Sequence, residues 1–263
     1  MVDFENKPSY GVYDLKNIIS LLRSPGGCPW DIEQTHGSIR RNLLEEAYEA
    51  AEAIDNSDAA HLREELGDVL MQVVFHADIE EKSGSFTLDD ISDEACKKLI
   101  RRHPHVFGGA EVKDSGEVLV NWDVIKKEEK RLDSVSDAMR SIARSLPALW
   151  RAEKVQGKAA KAGFDWPEWS GAMGALREEL GELDGAIASG GGIEEELGDL
   201  LFSVVNVARF FEIDPERALE LSVDKFISRF SRVEHAAAQR GLELSDMTLD
   251  EMDELYRQVK LEE

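Results

Sequence analysis

Cysteine is nearly absent. The chain has two, Cys28 and Cys96, far apart and in no CxxC pair. That excludes a disulfide framework and a zinc ribbon and suits a reducing compartment. Positive charge is scarce too: 31 Lys and Arg stand against 54 Asp and Glu, a formal net charge of −23. Such a chain repels phosphate backbones at long range, which argues against nucleic acid as a partner, and it attracts divalent cations. No apolar run approaches the ~20 residues needed to cross a bilayer. Met1-Val2-Asp3-Phe4-Glu5 has neither the basic nor the apolar region of a signal peptide. The expectation is a cytoplasmic protein with no membrane partner. GxxxxGK[ST] is missing, which excludes a P-loop ATPase.

What is present is helical periodicity. The seven prolines fall mostly between the periodic stretches. Apolar spacing predicts helices near 11–23, 37–55, 59–82, 87–101 and 116–131, then near 136–162, 170–188, 193–211, 214–240 and 247–261. Val118-Leu119-Val120 is too short a strand signal to outweigh its helical context. The charged helix ends at Leu132-Asp133-Ser134-Val135-Ser136. The fold class is therefore all-α, in two related halves, 1–133 and 134–263.

The halves share a carboxylate pattern. Glu46 and Glu49 precede Glu65 and Asp68, and Glu179 and Glu182 precede Glu196 and Asp199. Residues three apart share a helix face. At ~1.5 Å per residue, Glu49 and Glu65 sit level across an antiparallel hairpin whose turn is Asn56-Ser57-Asp58, with Ser57 or Asp58 as N-cap. Ser189-Gly190-Gly191-Gly192 forms the second turn. Carboxylates that face one another at ~4 Å repel by about 4 kcal/mol at an effective dielectric of ~20, so a counter-cation is expected. Oxygen-only donors suit Mg²⁺, with Mn²⁺ as a substitute. A single ExxE reads more simply as a solvated face. Its duplication, and flanking Leu43, Leu44, Leu66, Val69 and Leu70, argue for a metal site. A di-iron bundle needs Glu-x-x-His, and no histidine fills either i+3 position. Gly67 and Gly198 stand mid-helix, where glycine costs roughly 0.5–1 kcal/mol relative to alanine. They point to close helix packing or ligand approach.

Cations follow at helical spacing: Lys98 and Arg102, then Lys225 and Arg229. Trp122 with Lys126, and Tyr256 with Lys260, can cover a base. Asn206 and Arg209 follow Asp199 on its helix, where the first half has Phe75 and Asp78. An amide and a guanidinium suit an anionic substrate, which favours the second half as the main catalytic site. Cys28 has no assignable base, and His103 and His105, around Pro104, read as loop-structuring residues.

ExxE, a spacer and ExxD on paired helices resemble the MazG-like all-α nucleoside triphosphate pyrophosphohydrolases. Gly27-Cys28-Pro29-Trp30-Asp31, Arg101-Arg102-His103-Pro104-His105-Val106-Phe107 and Gly163-Phe164-Asp165-Trp166 add to the likeness, which covers nearly the whole chain in tandem. The resemblance implies Mg²⁺-dependent cleavage of nucleoside triphosphates to monophosphate and pyrophosphate, in helical bundles completed by homodimerisation. It makes Glu179, Glu182, Glu196 and Asp199 metal ligands, with Glu179 and Glu182 in the water-activating region. Lys225 and Arg229 would grip phosphates, with Tyr256 and Lys260 at the base. Glu46, Glu49, Glu65, Asp68, Lys98, Arg102, Trp122 and Lys126 take the matching places. The other function class is a Mg-nucleotide sensor or scaffold without hydrolysis, which would return the nucleotide intact.

Overall fold

Capping residues set where the helices begin and end. The computed structural model describes residues 4–130 and 134–261, apart from the side chains of 119, 120, 123, 126–128 and 130. Among the described residues all regular structure is helical. The first part of the chain carries α1 (Val12–Leu22), α2 (Pro29–Glu33), α3 (His36–Asp55), α4 (Ala59–Ser83), α5 (Leu88–Arg102), α6 (Pro104–Phe107) and α7 (Ser115–Lys130). It continues with α8 (Val135–Arg140), α9 (Ala148–Lys161), α10 (Trp169–Ser189), α11 (Ile193–Phe210) and α12 (Pro215–Gln239). A 3₁₀ turn (Leu244–Asp246) and α13 (Leu249–Leu261) complete it. The chain divides into two compact units, Met1–Ile125 and Lys126–Glu263. The boundary expected after residue 133 falls outside the described residues.

In the first unit α3 and α4 form the expected hairpin. Thr35 caps α3, its hydroxyl accepting from Ser38 N, while Ser38 Oγ accepts from Thr35 N. Asp58 caps α4 by accepting from the backbone N–H of Ala60 and His61, each at 3.0 Å. The second hairpin, α10–α11, turns through Gly190 at φ 75° and Gly192 at φ 78°, a left-handed geometry that glycine adopts without steric penalty.

α1, α3, α4 and α5 bury Ile19, Ile39, Val74, Phe75, Ala77 and Leu88 together, with Leu15, Leu70 and Met71 packed around them. The second unit has a smaller core, where Val233 and Ala237 of α12 meet Leu255 and Val259 of α13. Each large apolar side chain so buried contributes about 1.5–3 kcal/mol. On α11, Leu197, Leu201 and Val204 stay exposed along one face, and Phe226, Ile227 and Phe230 stay exposed on α12.

Two expectations need correction. The predicted helix 136–162 is broken into α8 and α9. Pro147, extended at φ −46° and ψ 142°, is the N-cap from which the chain restarts as α9; proline has no N–H to continue a preceding helix. Among the described residues Gly67 and Gly198 are not sites of close packing, since a Cβ on either would meet nothing within 4 Å beyond its own stretch of helix.

Candidate metal and nucleotide site

Helix pairing brings the carboxylates together twice. One carboxylate oxygen from each of Glu46, Glu49 and Glu65 lies within 4.8 Å of the other two. Glu179 on α10 and Glu196 and Asp199 on α11 form the corresponding group. Asp68 and Glu182 lie outside these groups, but their charges reach them. Desolvation holds Glu46 above the usual carboxylate range, with Asp68, Glu49 and Glu65 adding repulsion. Desolvation, then Glu182 and Asp199, raise Glu179; desolvation, then Glu182, Glu195 and Asp199, raise Glu196. These are the marks of like charges held close together.

Glu65 is the most buried member, 7 % exposed. Its Oε1 lies 3.0 Å from Nε2 of His61, one turn back on α4, while Oε2 is buried and has no partner. A buried carboxylate oxygen without a donor is unfavourable. A hard divalent cation takes such oxygens as ligands, so these residues fit the group that the sequence suggested.

The cations stand on other helices. Lys98 is exposed and Arg102 half-buried on α5, which packs on α4; Lys225 is exposed and Arg229 half-buried on α12, which touches α11. Trp122 meets His103 edge-on, with ring centroids 4.9 Å apart. Tyr256 packs on the second core, its ring 6.0 Å from that of Phe226, and Lys260 is exposed. The side chain of Lys126 lies outside the described residues.

Asn206 and Arg209 are committed elsewhere. Arg209 donates from Nη1 and Nη2 to the two carboxylate oxygens of Asp165, and from Nε and Nη2 to Asn206 Oδ1. Asp165, in the Gly163–Trp166 motif, is pulled below the usual range mainly by this hydrogen bonding. Arg209 therefore braces a loop, and the amide oxygen of Asn206 is spent on Arg209.

Three further contacts were not foreseen from sequence. His61 stands beside Glu65, and only its i, i+4 spacing hinted at that. Arg23 Nε donates to Asp78 Oδ2 at 2.8 Å, a long-range contact that no local pattern announces. His36 joins α3 to α4: its Nε2 lies 2.6 Å from Glu80 Oε1 and its Nδ1 2.7 Å from His76 Nδ1.

Fold and site together define an all-α protein with two hairpins, each gathering carboxylates from both of its helices into a group able to hold a divalent cation. Residues 34–107 and again 170–233 match the MazG nucleotide pyrophosphohydrolase domain, and the chain belongs to that family. It is 43% identical over 94% of its length to the nucleoside triphosphate pyrophosphohydrolase/pyrophosphatase MazG of Thermotoga maritima, covering 94% of that protein. It is 43% identical over 95% of its length to the nucleoside triphosphate pyrophosphohydrolase of Escherichia coli K12, covering 97% of it. Over 93% of the chain it is 47% identical to the uncharacterized protein YabN of Bacillus subtilis, of which it spans 50%. Among the described residues no helix is long and apolar enough to cross a membrane.

Proposed function

We propose that the protein hydrolyses nucleoside and deoxynucleoside triphosphates to monophosphate and pyrophosphate with Mg²⁺, for which Mn²⁺ can substitute. The supporting observation is the twofold gathering of three carboxylates within 4.8 Å, one group with a buried oxygen that lacks a partner. Glu179, Glu196 and Asp199, with Glu182 beside them, hold the cation at the second site. When bound, it neutralises triphosphate charge and polarises the attacked phosphorus. Glu179 and Glu182 together make up the water-activating region, where a carboxylate takes the proton of the attacking water. Lys225 and Arg229 bind the phosphates and stabilise charge on the leaving pyrophosphate. Tyr256 and Lys260 border the base.

The first hairpin repeats the set with Glu46, Glu49, Glu65, Asp68, Lys98, Arg102, Trp122 and Lys126. Its Glu65 is buried, whereas Glu179 and Glu196 are half-buried and Asp199 is exposed. The second site is thus the more open to a triphosphate, and main turnover is assigned to it. That preference now rests on access and no longer on Asn206 and Arg209. The uncovered apolar face of α11 and α12 supports a homodimer, and sparse cysteine supports a cytoplasmic location.

The test is pyrophosphate release from a panel of NTPs and dNTPs with Mg²⁺, comparing the wild type with Glu46→Gln and Glu179→Gln. Loss in Glu179→Gln alone places turnover in the second half. Equal loss in both variants means two coupled sites. Tight nucleotide binding without pyrophosphate release would overturn hydrolysis in favour of a sensor.

A further inference from the structure

The two carboxylate groups differ in how their central glutamate is held. Glu196 lies in the first turn of α11, where the unpaired backbone N–H groups of a helix start favour negative charge. Glu65 lies beyond the first turn of α4, which has no acidic residue in that turn. It is also more deeply buried than any member of the second group. Helix-end stabilisation fades within a turn, so Glu65 needs another source of positive potential. His61 supplies it. Its backbone N–H is pinned by the Asp58 cap at 3.0 Å, and its imidazole Nε2 lies 3.0 Å from Glu65 Oε1. The residue four before Glu196 is Gly192, which is the N-cap of α11 and has no side chain to play this part.

We propose that His61 is a positioning residue of the first metal site. Its imidazole, 3.0 Å from Oε1 of Glu65, steers the carboxylate and leaves Oε2, buried and without a protein partner, as the oxygen offered to a divalent cation. This inference rests on the metal reading above. Partners that orient a ligating carboxylate typically change metal affinity by 10–100-fold when removed. The first site thereby has a preset ligand geometry that the second lacks. The buried glutamate is held ready before the cation arrives, while the second group relies on a helix start and stays open.

The experiment uses the full chain with the second site disabled by Glu179→Gln and Glu196→Gln. Mn²⁺ is titrated in, and the free ion is followed by its electron paramagnetic resonance signal. In that background His61→Ala is expected to weaken Mn²⁺ binding by about 10-fold or more. His61→Gln, which keeps a side-chain N–H donor, is expected to recover affinity to within about 3-fold of His61. Equal Mn²⁺ affinity with His61 and with His61→Ala overturns the proposal while leaving the metal site standing. Loss in both variants together with a lowered metal-free melting temperature overturns it as well, by assigning His61 to the fold. Failure of the parent, with His61 intact, to take up any Mn²⁺ would sink the metal reading along with it.

Discussion

Arg209 and Asp165 form a two-pronged ion pair, Nη1 to Oδ2 at 2.8 Å and Nη2 to Oδ1 at 2.6 Å. The first half makes its counterpart with the charges exchanged. Asp78 holds on α4 the place that Arg209 holds on α11, each ten residues after the last aspartate of its carboxylate set. Asp78 is met by Arg23 at the end of α1, as Arg209 is met by Asp165 after α9. Each half thus ties the hairpin's second helix to the segment that follows an earlier helix. Duplication has kept the tie while its sign has changed.

The two ties differ in burial, and their removal should differ accordingly. Arg23 and Asp78 have side chains only 8% and 4% exposed, and Arg23 also lies over the Phe75 ring, 4.6 Å from its centroid. Arg23→Met leaves a buried carboxylate with Lys82 as its remaining cation. It should destabilise the protein by about 3 kcal/mol. Arg209→Met leaves Asp165, 23% exposed, within reach of water, and should cost about 1 kcal/mol. Urea unfolding of both variants measures this. Equal losses would mean that burial does not govern these pairs.

Crowded carboxylates oppose folding, and under the proposed function they serve catalysis, so one substitution should move the two in opposite directions. Glu179 repels Glu182, Asp199 and Glu178. Glu179→Gln removes one charge from that group without changing its shape. In the absence of divalent metal the variant should melt a few degrees higher than the wild type. Pyrophosphate release should fall by at least about 100-fold. Melting curves with and without Mg²⁺, set beside turnover, check both parts. A variant that lost activity and also melted lower without metal would show that Glu179 supports the fold instead.

The His36–His76 contact makes the first half sensitive to acid. The carboxylate of Glu80 can only accept, so His36 donates from Nε2 and accepts at Nδ1 from His76 Nδ1. His76 Nε2 is then a buried acceptor with no partner. Burial first, and His36 second, hold His76 below the ordinary histidine value. The unfolded chain therefore takes up this proton near pH 6.5 and the folded chain only at lower pH. Stability from His76 is complete above about pH 6.5 and is lost as pH falls through that value toward the folded one. Between about pH 7.5 and about pH 5.5 the wild type should lose more melting temperature than His76→Gln. The corresponding places in the second half hold Trp169, Val207 and Phe211, and there Trp169 and Phe211 pack ring to ring with centroids 6.1 Å apart. Parallel pH profiles for wild type and His76→Gln would count against the assignment.

Local pattern carried far in this chain because its chemistry is local. The ExxE and ExxD spacings need only a helix period and a short turn, and Glu46, Glu49 and Glu65 duly meet across α3 and α4. Asp58 could be read as a cap from its place ahead of an apolar run, and it is one. What escaped were contacts between segments distant in the chain. Asp165 lies 44 residues before Arg209, and nothing near Arg209 shows that its guanidinium is engaged. His36 and His76, 40 residues apart, meet only because the hairpin folds back. The break between α8 and α9 escaped because apolar periodicity runs on through Leu146, although Pro147 marked the restart. Sequence spacing set the register of the carboxylates; packing decided which charged groups were left for a ligand.

Gly198 offers the last separation of fold from function. It sits inside α11 between Leu197 and Asp199, and a Cβ there would meet nothing within 4 Å. By helix propensity alone, Gly198→Ala should therefore stabilise the metal-free protein by roughly 0.5–1 kcal/mol. A glycine at that disadvantage beside a carboxylate proposed to bind metal is explained if substrate passes over its bare backbone. The same substitution should then raise KM for a nucleoside triphosphate several-fold while the unliganded chain becomes harder to unfold. Urea unfolding together with steady-state pyrophosphate release reads both quantities. A loss of stability would point instead to another protein surface packed on Gly198, the second copy in a dimer being the first to examine by mass in solution. Gain in stability with unchanged KM would leave the glycine without a role in substrate binding.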